Sequence, residues 1–85
     1  MDITQVKATI SRGNQAAQDG SVLVQEVRDR TAQALTSAAA TAHDSTHDEA
    51  EAGLKRLKEA IKEASRVAEL LGSGADAATE YALKL

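Results

Sequence analysis

Stepping alternately by three and four residues from Ile3, small or apolar positions recur through Val6, Ile10, Gly13, Ala17, Gly20, Val24, Val27, Thr31, Ala34, Ala38 and Thr41. A second run starts at His47 and continues through Ala50, Leu54, Leu57, Ile61, Ala64, Ala68, Leu71, Ala75, Ala78, Ala82 and Leu85. That step is the period of one helix face, so the chain predicts two long helices with one stripe each. The expected organisation is a single all-α helical-hairpin domain over residues 1–85: a helix over about 3–42, a turn over about 43–46 and a helix over about 47–84. Each start is encoded locally. Asp2 with Gln5 three residues on can cap the first helix, and Thr46 with Glu49 spells a capping box for the second, where Asp48 and Glu49 add favourable negative charge.

An antiparallel fold-back centred on Asp44 pairs large residues with small ones. Ile61 then faces Val27, Leu54 faces Ala34, and Leu71 fills space beside Ala17, while Gly20 opposite Ala68 and Gly13 opposite Ala75 permit close backbone approach. Glycine inside a helix nevertheless weakens it by about 0.5–1 kcal/mol relative to alanine, and "QDGS" and "LLGSGAD" are turn-like strings. Two continuous helices, loosened near Gly20 and Gly72, are therefore weighed against a break near Gly72–Gly74 that leaves a short terminal helix.

The same phase places Ala16 and Leu23 beside the stripe of the first helix, and Ala60, Val67 and Tyr81 beside that of the second, with Leu70 one row further out. In an antiparallel pair these rows lie along one flank, so Leu23, Val67, Leu70 and Tyr81 form the expected partner-binding face. The opposite flank is mostly polar, with Lys7, Asn14, Arg28, Lys58, Ser65 and Thr79, and Leu35 as its only large apolar member. About ten large aliphatic residues line the stripes, each contributing roughly 1.5–3 kcal/mol when fully buried, and two helices alone cannot bury them fully. Dimerisation of two hairpins into a four-helix bundle would supply the missing burial.

Composition narrows the classes of function. There is no proline and no cysteine, and Tyr81 is the only aromatic, which favours helix and excludes disulfides and thiolate metal sites. A net charge of −3 gives no overall attraction to phosphate backbones or anionic membranes. No apolar run approaches about 20 residues and the N-terminus "MDITQVKATI" lacks a basic start. The expected address is the cytoplasm, or export without a cleavable signal peptide. His43 and His47 are four apart and each precedes an acid, but the expected turn lies between them and fixes no third ligand. The run "EAGLKRLKEAIKEASR" reads as a solvated face, with Glu51, Lys55 and Glu59 at successive i,i+4 spacings. No serine or threonine has an activating histidine and acid at a suggestive spacing, and no phosphate loop occurs. The expectations are no enzyme activity, no catalytic residue, no metal and no cofactor.

A short chain with two long helices, a tight central turn and an associating face resembles the small Trp-X-Gly helical-hairpin proteins of bacterial type VII secretion. The resemblance is one of architecture over nearly the whole chain. The chain carries no Trp, its turn reads "HDSTHD", and Leu85 rather than an acid follows Tyr81 by four residues, so no residue role carries over. What the resemblance implies is a paired hairpin. Together these features point to a non-enzymatic interaction protein that forms a homo- or heterodimer with itself or a similar small helical protein. An intracellular adaptor lending one helical face to a larger protein, and a stress-type solvating protein, are the alternatives.

Overall fold

Asp2 starts the first helix through the cap that its sequence encodes. Its Oδ1 accepts a hydrogen bond from the Gln5 backbone N–H at 2.8 Å, satisfying a donor that a helix N-terminus leaves unpaired. In the computed structural model, which describes residues 2–42 and 47–85, helix α1 runs Ile3–Ala42 and helix α2 runs Asp48–Leu83. The expected turn over 43–46 and the Thr46 cap fall outside the described residues. His47, rather than Thr46, occupies the position before α2, and its side chain makes no capping hydrogen bond. Asp48, Glu49 and Glu51 supply negative charge to the first turn.

Both helices are unbroken. α1 passes through Gly13 and Gly20 and α2 through Gly72 and Gly74, and no described residue has a positive φ. The break considered near Gly72–Gly74 does not occur, because helical flanks on both sides outweigh the weak propensity of two glycines. The helices lie antiparallel and form a rod of 63 × 16 × 14 Å. Cross-helix contacts set the register: Asn14 Nδ2 donates to Thr79 Oγ1 at 2.7 Å, and Ser21 Oγ donates to the Ala68 carbonyl at 3.4 Å. Leu71 Cδ1 lies 3.7 Å from where a Cβ on Gly20 would sit.

In α2 the predicted stripe from Ala50 to Ala82 is the inner face, with every position half-buried or buried. In α1 the stripe is rotated. Val6, Ile10, Ala17, Gly20, Val24, Thr31 and Ala38 are inside as expected, but Asn14, Ser21, Arg28, Leu35 and Ala42 accompany them, while Ile3, Gly13, Val27, Ala34 and Thr41 are exposed. Val27, expected to face Ile61 within the seam, is thus 58% exposed. Leu71 lies over Gly20, which was expected to face Ala68, and Gly13 has open space where Ala75 was expected. The rotation has a physical source. Gly13, Gly20 and Ala34 offer little apolar surface, whereas Asn14 and Ser21 gain cross-helix hydrogen bonds and Leu35 gains cover; small Ser65 and Gly72 on α2 leave room for that edge to close.

Core burial is thin. Among the described residues only Ala68 and Ala75 are buried, and α1 contributes none. Polar cross-links thus carry part of the pairing. A double-mutant cycle of Asn14→Ala and Thr79→Ala is expected to return a coupling of about 0.5–1 kcal/mol in urea melts, as for an exposed neutral hydrogen bond. Strict additivity would show that the bond contributes nothing to closing the hairpin.

Candidate functional site

The hydrogen bond between Asn14 and Thr79 joins the two polar edge rows and so fixes which flank is which. On the opposite flank lie the residues singled out from sequence. Leu23, Val67, Leu70 and Tyr81 are 62%, 41%, 59% and 57% exposed, large for apolar side chains along a helical pair. The Ser21 bond to Ala68 sets Leu23 level with Val67. Rotation of α1 adds Val27, one turn from Leu23 and likewise exposed, to the same flank. Sequence periodicity alone assigned Val27 to the seam; the small residues Gly13 and Ala34 in its row, both exposed, were the available sign that part of this row would not pack inside.

The flank is a lane almost free of charge. The row of Val27 on α1 and the row of Val67 and Tyr81 on α2 contain no ionisable group other than the Tyr81 phenol, and in the row of Leu23 the only charge along the helix body is Arg30, whereas the row of Leu70 carries Glu49, Arg56, Glu63 and Lys84 and forms the charged rim. Arg30 is held on its own helix by Glu26, Nη2 to Oε1 at 3.3 Å. Elsewhere the surface is densely charged, with Arg28 paired to Asp29 at 3.1 Å and Arg66 to Glu63 at 3.7 Å. Exposed apolar residues lined along one flank and rimmed by charge make it the candidate binding surface.

Towards the turn end the lane opens into a cleft of about 620 Å³, lined by Ala38, Thr41, Ala50, Gly53, Leu54 and Leu57 among others. It forms because small residues of α1 face leucines of α2 there. A smaller groove of about 330 Å³ lies at the other end on the polar flank, between Lys7, Asn14 and Thr79.

Among the described residues no three His, Cys, Asp or Glu side chains gather as a metal site. His43 of the spaced histidine pair lies outside the described residues, and His47 is exposed. The hydroxyls of Thr9, Thr31, Thr36, Thr41 and Thr79 donate to the carbonyl one turn back in their own helices, a structural use of the group. No protein-family model, curated protein or solved structure matches the chain.

Proposed function

We propose that the chain is a non-enzymatic helical-hairpin interaction module that self-associates or pairs with a similar small helical protein through the apolar lane. The observation that carries this reading is the lane itself: Leu23, Val27, Val67 and Tyr81 stand exposed in rows almost without charge, with Leu70 exposed at their rim, while among the described residues only two alanines are buried. A hairpin with so little interior gains most of its apolar burial from a partner. On this reading the protein is type VII secretion-like in its architecture and acts in the cytoplasm, or after export without a cleavable signal peptide. No described helix is long and apolar enough to cross a membrane.

The test is charge placed on the lane. Val67→Glu with Leu70→Glu leaves the intrachain contacts of Ala68 and Leu71 in place, so far-UV circular dichroism at high concentration is expected to remain helical. Association is expected to weaken by at least about a hundredfold, since desolvating two carboxylates costs several kcal/mol in a paired state. Equilibrium sedimentation reads the result. A complex whose mass is unchanged by the double substitution removes the lane from the interface and the reading with it.

A further inference from the structure

Resting on the lane as the association surface, we infer that its occupant is a second copy of this chain, laid antiparallel across it so that Tyr81 of each copy enters the turn-end cleft of the other.

The outer row of α2 reads Gly53, Ala60, Val67, Gly74 and Tyr81 at seven-residue steps. Reversed against itself about Val67, it sets Tyr81 on Gly53 and Gly74 on Ala60, with Val67 meeting its own copy. Knob meets hole at each step. The α1 row beside it, exposed at Gly13, Val27 and Ala34 and half-buried at Gly20, follows the same operation: reversed about its centre, Val27 meets Gly20 and Ala34 meets Gly13. The two centres coincide in space, because Ser21 bonds Ala68 and Gly20 lies under Leu71, which puts the level of Leu23 and Val24 beside Val67. One two-fold axis crossing both helices therefore serves both rows, as an isologous dimer requires.

Size and charge agree with that axis. It falls close to the midpoints of Ile3–Ala42 and Asp48–Leu83, so the rods overlap along nearly their full length. One long side of a 63 × 16 Å outline presents roughly 1,000 Å², above the about 800 Å² per partner of a standard stable interface, whereas a half-length overlap would fall well below it. Reversal also carries Lys84 to the level of Glu49, at the acidic first turn of α2. With the copies side by side and their turns at the same end, that acidic turn would lie beside its own copy, and Gly53 would face Ser37 with no knob to fill it. The cleft of about 620 Å³ has ample room for a phenol ring, and its apolar walls Leu54 and Leu57 suit the ring face.

The chain lacks cysteine, so introduced thiols report on this geometry alone. Mild oxidation of mixed Tyr81→Cys and Gly53→Cys chains is expected to give a disulfide-linked heterodimer faster than either chain alone gives a homodimer, and Val67→Cys is expected to link to itself, because facing Cα atoms come within about 7 Å. A variant that preserves the hairpin adds a second readout. A Cβ at Gly53 meets nothing within 4 Å, and Gly53 borders the open cleft, so Gly53→Leu is expected to leave the hairpin folded and to favour its helix. It fills the cleft and is expected to raise the dimer dissociation constant at least about tenfold and to erase the concentration-dependent near-UV dichroism of Tyr81, the only aromatic residue. Self-linkage of Tyr81→Cys at the faster rate overturns the antiparallel arrangement. A dimer that dissociates in the Val67→Glu, Leu70→Glu variant yet links through none of these thiols also overturns it, while leaving the lane as the interface. A monomer at every concentration overturns the second copy, and the lane is then judged by whether those two glutamates abolish binding to a helical protein encoded beside it.

Discussion

Replacing Ala68 and Ala75 together by leucine is expected to destabilise the hairpin by about 2–6 kcal/mol, at about 1–3 kcal/mol for each overpacked site. These are the two buried side chains among the described residues, at 8% and 5% exposure. They sit on the inner face of α2 where the helices approach closely: Ser21 reaches the carbonyl of Ala68, and Thr79 bonds back to the carbonyl of Ala75 while accepting from Asn14. Leucine at either position must push α1 away, which lengthens those polar contacts and uncovers Leu71 above Gly20. Marginal stability magnifies the loss, because a hairpin of this size has only a few kcal/mol to lose. Urea denaturation at low concentration, where association contributes least, measures it. Ala52→Leu on the exposed face of α2 is the control and is expected to stay within about 0.5 kcal/mol of the parent. If the double leucine variant matches that control, the interior is not closed by small residues at all.

The two helices and their antiparallel pairing were legible because apolar positions repeat at the helical step through both halves and Asp2 announces the first start. The inner face of α2 was equally legible, since large residues mark it: Leu54, Leu57, Ile61 and Leu71. The inner face of α1 was not. Its row of Gly13, Gly20, Val27 and Ala34 fits the same period as the row of Asn14, Ser21, Arg28 and Leu35, and a rotation of one row exchanges them without altering any count of apolar steps. What decides between them is local and three-dimensional: the hydrogen bonds of Asn14 and Ser21 to α2 and the cover that Leu35 obtains. That choice also moved Val27 from the seam to the lane. The exposure of Leu23, Val67, Leu70 and Tyr81 was therefore legible, and that of Val27 was not. The turn-end cleft could not be read at all, because a gap between helices depends on which side chains face one another and not on their order along the chain.

Changing Gly13, Gly72 and Gly74 together to alanine is expected to stabilise the hairpin by about 1.5–3 kcal/mol, since each exchange removes a helix-interior glycine that costs about 0.5–1 kcal/mol. The structure sets no obstacle. All three lie inside continuous helices at negative φ, and an added Cβ would meet nothing within 4 Å at any of them. Gly20 and Gly53 are left alone, the first because Leu71 Cδ1 already lies 3.7 Å from its Cβ position and the second because it lines the turn-end cleft. A gain of that size corresponds to a rise in melting temperature on the order of 10 °C for a chain of this length. Thermal melts followed by far-UV circular dichroism read it directly. The string "LLGSGAD" makes this a test of the fold as well as of stability. If the helix ended after Leu71 with Gly72 as a left-handed cap, alanine there would be strained and the variant would melt lower than the parent. The sign of the shift therefore separates a rod that runs unbroken to Leu83, presenting Tyr81 at the far end of the lane, from a hairpin whose last turns are detached and cannot place that ring against anything.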